Sequence, residues 1–500
     1  MPLHRYIFSP RSRETLIRWL SLPVQSLCAS RRRYRSTPPV RAHAAMDVSL
    51  RNKSLSVDTL APNHVCIDGK VFDLDSFDHP GGDSIHVFGG NDVTVLYKMI
   101  HPHHGPNQYA QKMKLVGVID KYRCEYSFDS DFGKEMKREV FQIVRRGQEF
   151  GTVGYFFRAF LYIAFFVAVV YRWTFQTGPS YALAVVFGLA KALIGLNVQH
   201  DANHGAAAPP GRKNVWINDL LGWGADLIGG CKYLWIQKHW THHAYTNHAE
   251  KDPDAFAAEP FLIFREYPAS HPARQWYHKY QTLLFLPIIA GYWLSSVLSL
   301  EVAKLQDAGA MSATMKFENN FVARQRKFTV FWRIVHLVII LGPPLRQHGL
   351  TATALGQALT VGAAGSLFLG CLFSLSHNFV NAERDPTAIL APPPTSTDGS
   401  DNENTTAPVC WYKAQVETSC TYGGFVSGAL TGGLNFQVEH HLFPRMSSAW
   451  YPFIAPTVRR VCAKHNVTYT YYPWLWQNMA SMMRYLHVTG GNTDAITKLE

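Results

Sequence analysis

Beyond residue 150 the chain breaks into apolar runs of membrane length separated by polar stretches. About 20 apolar residues cross the hydrocarbon layer of a bilayer, so the runs Tyr155 to Phe175, Tyr181 to Val198, 328–345 and 355–376 predict four transmembrane helices. Trp216 to Gly230 and Gly423 to Phe436 are shorter and rich in glycine, and the first is interrupted by Asp219 and Asp226. Both predict buried or interfacial segments. Leu283 to Leu300 is long enough to span, but Pro287 and Gly291 break it, and it is read as interfacial.

The first 150 residues pattern differently. Residues 46–130 have the short alternations of a small α+β domain, with a strand pair around Val65 to Leu74, a Pro-Gly-Gly turn at 80–82 and helical stretches to Ile100. Residues 131–153 place Lys134, Glu135, Lys137, Arg138 and Glu139 at helical spacing, which predicts a connecting helix near a membrane surface. The membrane part then covers 154–487. It is interrupted at 387–408 by a Pro-, Ser-, Thr- and Asn-rich solvent loop without a period, and it is followed by a tail, 488–500.

A content of 47% hydrophobic and 17% charged residues argues against a disordered chain, and eight scattered cysteines with no C-x-x-C pair argue against zinc ribbons and disulfide scaffolds. The net charge of +12 is unevenly placed, since residues 1–45 hold nine arginines against Glu14 alone and account for +8. That stretch is either an organelle transit segment, whose composition it shares, or an extension that adds nothing to function. The mild excess elsewhere suits anionic membrane lipids and gives no support to a nucleic-acid partner. Six aspartates between Asp68 and Asp92 face one lysine, Lys70, an acidic island suited to docking on a basic partner face.

The arrangement of the 23 histidines is the strongest chemical signal. His200 and His204 stand at i, i+4; His239, His242 and His243 stand at i, i+3, i+4; and Gln437, His440 and His441 repeat that second spacing. On helices each set projects to one face. Neutral imidazole is a common ligand for first-row metals, and three such faces converging could hold two ions. A lone buried histidine is usually a satisfied core residue, but seven in a lipid-embedded bundle would lack partners without a metal. His377, at the end of an apolar run, is a further candidate, and His248 could stand behind the ligands. His278, His336 and His348 lack companions at ligand spacing and are read as structural. In the soluble domain, His79-Pro80-Gly81-Gly82 precedes Gly90-Asn91-Asp92-Val93-Thr94 and His101. Two histidines from different elements can ligate one haem iron from opposite sides, which suits electron transfer. His103 and His104 lie close enough to compete with His101 for that role.

With these motifs the sequence resembles a front-end fatty acyl desaturase carrying an N-terminal cytochrome b5 domain. The stretches HWTHHAYTNH, SLSHNF, QVETSCTYGG and GGLNFQVEHHLFPRMS are most similar to Δ5 desaturases of diatoms and related algae. The resemblance implies an α+β cytochrome b5-like haem domain fused to an all-α membrane desaturase domain, with four transmembrane helices and a cytosolic histidine-box cap. It implies haem b on His79 and His101, and a di-iron centre on His200, His204, His239, His242, His243, His440 and His441. His377 is implied as a further ligand and Gln437 as the front-end substitution in the third box. It further implies a fatty acyl substrate, as phospholipid or CoA ester, an NADH-dependent cytochrome b5 reductase as partner, and residence in the endoplasmic reticulum membrane unless residues 1–45 direct the chain to a plastid. Δ4, Δ6 and Δ8 desaturases, sphingolipid desaturases and hydroxylases share much of this pattern. A non-catalytic haem carrier with metal-binding clusters is the alternative from another class. If all boxes face one side, an even number of spans must separate His243 from His377, which is why Leu283 to Leu300 is assigned to the interface.

Overall fold

The computed structural model describes residues 54–491 apart from 105–107, 109–111, 121, 177, 269, 299–315, 317–318 and 385–407. The extension 1–45, nearly all of the 387–408 loop and most of the 488–500 tail lie outside the described residues.

The N-terminal domain is built on a five-stranded sheet whose strands lie in the spatial order β1 (Ser54–Leu55), β5 (Lys114–Ile119), β3 (Lys70–Asp73), β2 (His64–Ile67) and β4 (Asn91–Asp92). Its centre is a hairpin of β2 (His64–Ile67) and β3 (Lys70–Asp73), closed by Asp68 and Gly69 at φ values of 51° and 75°. Two consecutive left-handed residues form the turn whose twist matches that of paired strands, and Asp-Gly is a favoured sequence for it. β1 (Ser54–Leu55) runs parallel to β5 (Lys114–Ile119), and β4 (Asn91–Asp92) runs parallel to β2. The helix Thr94–Ile100 delivers His101 at its C-terminal end.

This domain shares a core with the rest of the chain. Val65, Phe72 and Phe88 belong to the same apolar cluster as Leu234, Phe321 and Val438. Hydrogen bonds cross the same boundary: Gly211 N–H donates to Pro80 O (2.8 Å), Asn319 Nδ2 to His86 O (2.9 Å) and Asn91 Nδ2 to Lys316 O (2.9 Å). The connecting chain is also bound, because Tyr126–Ser127 pairs as a parallel strand with Val409–Cys410. The next helix, Asp131–Ile143, is capped by Ser130 and packs on the helix Tyr451–Lys464, where Glu135 meets Lys464 and His465.

Part of the acidic island is engaged inside the chain. Asp68 pairs with Lys98 (2.5 Å), Asp92 accepts from Thr94 and Tyr122, Asp73 and Asp75 accept from Asn63, and Asp78 pairs with Arg212. The basic group that meets Asp78 thus belongs to this protein and not to a separate partner.

Among the described residues, four helices are long and apolar enough to cross a membrane: Val153–Phe175, Tyr181–Asn203, Asn320–His348 and Ala352–Leu375. They coincide with the four expected spans. Phe157, Phe160 and Val167 on the first lie bare on its outer face, as lipid contact requires. The second and fourth spans approach closely at Gly188 and Gly365, where a Cβ on Gly188 would lie 2.6 Å from Val361 O. Small residues at helix contacts are the usual means of packing in lipid.

One segment departs from expectation. The helix Gln281–Leu298 does not lie flat at the interface. Ile289 sits against Gly370 and Trp293 against Gly362, so the helix descends antiparallel beside the fourth span. By Lys316 the chain is again in contact with Asn91 of the N-terminal domain. Residue pairs across the helix contact decide its placement, which a broken hydropathy run cannot reveal. The parity argument survives, since the third and fourth spans supply two crossings between His243 and His377.

Candidate metal centres

The second span is interrupted near its end by a π-helical turn, Gly195–Gln199, immediately before His200. Such insertions are frequent at functional sites because the extra residue re-aims the side chains beyond it. Here Gln199 Nε2 donates to Gly195 O (2.9 Å) and Asn203 Nδ2 to Gln199 Oε1 (2.7 Å), which sets the orientation of His200 and His204. Asp201 points the other way and accepts from Ser448 N–H (2.9 Å) and the Ser447 hydroxyl (3.2 Å). His239, His242 and His243 come from the helix Lys232–Ala244, Gln437, His440 and His441 from Gln437–Leu442, and His377 from just beyond the fourth span.

These side chains form two sets. His200, His204, His239 and His440 bring one ring nitrogen each within 4.8 Å of one another, and His242, His377 and His441 do the same. His200 Nε2 lies 3.2 Å from His239 Nε2, and His242 Nε2 lies 3.3 Å from His377 Nε2. His243 stands between the sets, with Nε2 3.2 Å from His239 Nε2 and its ring stacked 4.1 Å from that of His441. Such spacings suit nitrogens that share an ion at about 2.0–2.1 Å each. All eight rings are buried, and His204 Nε2 and His440 Nε2 have no hydrogen-bond partner among the described residues.

The far side of several rings is fixed by an acceptor. His242 Nδ1 meets Asp252 Oδ1 (2.9 Å), His377 Nδ1 meets Thr418 O (3.0 Å), His440 Nδ1 meets the Tyr451 hydroxyl (2.9 Å) and His441 Nδ1 meets Gln415 Oε1 (2.9 Å). Each contact places the proton on Nδ1 and leaves an Nε2 lone pair facing inward, the arrangement that orients metal-ligating histidines. Burial, reinforced by neighbouring rings, pushes His239, His243, His440 and His441 well below the ordinary imidazole range, and His377 down to about 3. Burial thus favours the neutral form of these rings, the form that ligates a metal. Burial also acts on His242, but the Asp252 and Asp254 carboxylates overcome it and raise the ring.

Asp252, Thr418, Gln415 and Tyr451 are not singled out as site residues by spacing: Gln415 and Thr418 lie in the family-like stretch QVETSCTYGG, but what each of the four does beside the rings is set only by the fold. Asp252 also accepts from Asn247 N–H (2.8 Å) through its second oxygen. Asp252→Asn keeps the shape but removes the charge and one acceptor. The expected outcome is a fall of about 10–100-fold in metal retention or turnover, read as iron per protein and product formed, with haem absorbance unchanged.

Gln437 reaches the second set, with its amide 3.0 Å from His377 Nε2 and 3.1 Å from His441 Nε2, while its other terminal atom is buried without a partner among the described residues. Amide nitrogen and oxygen are interchangeable assignments, and with the amide turned over its oxygen faces the same point as the imidazoles. His248 lies elsewhere, paired with Glu125 (3.3 Å). His278 bonds to Pro260 O and His348 approaches the Gln357 amide, as structural histidines do.

In the N-terminal domain the His79 and His101 rings meet at an interplanar angle of 89° with centroids 6.1 Å apart. That separation accommodates one ion at the roughly 2 Å typical of imidazole ligands. His101 Nδ1 meets Tyr97 O (3.0 Å), and a Cβ on Gly81 would fall 2.7 Å from His79 Cε1, so only glycine fits that edge. Burial, with the Arg445 guanidinium adding to it, lowers His79 to about 4 and holds His101 well below the ordinary imidazole range. The residues fit a bis-histidine haem.

A cavity of about 320 Å³ joins the cap to the membrane bundle. Its lining includes Lys238, Asp254 and Asn378 in the cap, His239, His242 and His377 of the imidazole sets, and Lys191, Trp293 and Gly362 in the bundle.

Comparison with known proteins agrees with both halves. The fatty acid desaturase family matches residues 176–473, and the cytochrome b5-like heme/steroid binding domain matches residues 56–120. The chain is similar to an acyl-lipid (7-3)-desaturase of Diacronema lutheri, at 32% identity over 87% of this chain and 92% of the relative. An acyl-lipid (7-3)-desaturase of Rebecca salina is 30% identical over 86% and 91%. Delta(5) fatty acid desaturase A of Dictyostelium discoideum is 28% identical over 87% and 92%.

Proposed function

We propose, from the premise that this chain belongs to the fatty acid desaturase family and carries a cytochrome b5-like domain, that it is a front-end Δ5 desaturase acting on C20 polyunsaturated acyl chains. The observation that carries the reading is the pair of inward-facing imidazole sets beside a cavity that leads into the membrane bundle. When bound, two iron ions supply the oxygen-reducing chemistry that removal of hydrogen from an unactivated methylene demands.

The protein's own residues do the positioning. His200, His204, His239 and His440 would hold one ion, and His242, His377 and His441 the other, with Gln437 beside the second and His243 between them. Asp252, Thr418, Gln415 and Tyr451 keep the ring protons outward. The polar mouth at Lys238, Asp254 and Asn378 holds the head group in the cap, while the apolar walls below guide the chain past His239 and His242. His79 and His101 would hold haem b, so that electrons from an NADH-dependent cytochrome b5 reductase enter through the fused domain. The haem domain and the boxes share one end of the bundle, which we assign to the cytosolic face of the endoplasmic reticulum.

The Δ5 assignment is supported by the local similarity of HWTHHAYTNH and GGLNFQVEHHLFPRMS to algal Δ5 enzymes and by the name of the Dictyostelium relative. Expression in yeast supplied with C18 and C20 polyunsaturated acids, followed by gas chromatography of the products, tests it. A new double bond at C5 of C20 substrates is expected. Products at C4, C6 or C8, or on sphingoid bases, would reassign the regiochemistry, and a protein with normal haem and iron but no product would favour an electron carrier.

A further inference from the structure

Lys191 lies on the buried face of the second span, 5% exposed, and lines the inner end of the cavity. An ionisable residue inside a membrane helix is costly and marks a functional site by default. Its surroundings sharpen the point. His336 Nδ1 meets Leu227 O (3.2 Å), so His336 Nε2 carries a lone pair, and Trp293 Nε1 already donates to it at 3.2 Å. Lys191 Nζ is a second, more distant donor to that same atom at 3.4 Å. The Trp293 ring lies 5.6 Å away. An ammonium has three hydrogens to place, and among the described residues Lys191 shares one acceptor and pairs with no carboxylate.

An ammonium at this position is therefore under-solvated, and it lines the part of the cavity that lies inside the bundle. Nine residues separate it from His200, about 13 Å along the helix, so it would meet the part of an acyl chain well beyond the reacting carbons. Saturated methylenes offer a cation nothing. A cis double bond offers π density, which attracts a desolvated cation as an aromatic face does.

We propose that Lys191, steadied by His336 and Trp293, is a specificity-determining residue that makes the inner end of the cavity prefer acyl chains already carrying cis double bonds toward the methyl end. The inference rests on the acyl-desaturase reading. It is tested by feeding cells expressing the full chain with C20 acids that differ only in their methyl-side double bonds, and measuring the product ratio. Lys191→Met, similar in length but apolar, is expected to lower the preference for the polyunsaturated chain about tenfold, with haem absorbance and iron content unchanged. Lys191→Arg, which keeps the charge, is expected to retain it. Lys191→Gln discharges the site while keeping a donor for His336, and is read alongside in case the Met variant accumulates poorly. An unchanged ratio in either uncharged variant overturns the proposal while leaving the desaturase reading intact. Absence of any product from the unaltered protein would remove both.

Discussion

His440→Ala is expected to leave no detectable double bond in any acyl substrate, while the haem absorbance stays as it is in the unaltered protein. The His440 ring is fully buried and lies 4.7 Å from His200, 4.9 Å from His204 and 4.5 Å from His243, centroid to centroid. Its removal takes one of four nitrogens from the first set and opens a hole that water can enter. Losing an outer partner of a ligand commonly costs 10–100-fold, so losing the ligand should exceed that. Tyr451→Phe is the graded companion. It deletes the hydroxyl that accepts from His440 Nδ1 and donates to Met446 O, and should cost about 10–100-fold. Iron content measured with gas chromatography separates a missing ion from a misfolded chain. Full product from His440→Ala would count heavily against a metal role for these rings.

His79→Ala should erase the haem spectrum and most turnover. The loss should resist rescue by added cytochrome b5, because the altered domain still covers its place on the cap. Gly211 to Pro80, Asn319 to His86 and Asn91 to Lys316 do not involve the His79 ring, so the domain stays docked while its cofactor is gone. Restoration of turnover by the soluble carrier would show that the docked surface can be vacated.

Much of this centre can be read from the sequence because its signal is local. His200 with His204, His239 with His242 and His243, and Gln437 with His440 and His441 occupy single helical faces, and spacing alone reveals that. Partnership between distant segments leaves no such mark. Asp252 is tied to His242 by a turn that only the fold closes, and Lys191, Trp293 and His336 come from three different helices. His336 reads as structural for want of a neighbour at ligand spacing, yet its neighbours arrive from the second span and from the inserted helix. The acidic island shows the same limit in part. Asp68 and Asp78 pair with Lys98 and Arg212, while Asp92 accepts from the uncharged Tyr122 hydroxyl, and a count of charges in sequence does not tell which are paired within the chain.

The parallel pairing of Tyr126–Ser127 with Val409–Cys410 removes the slack from the chain that leads out of the haem domain. A carrier bound this way is a wire and not a ferry. Only the visit of the reducing partner then depends on collision, so viscosity and ionic strength act on that visit alone, while the last leg covers one distance set by packing. Lengthening the connection at this point would convert a fixed circuit into a diffusive one.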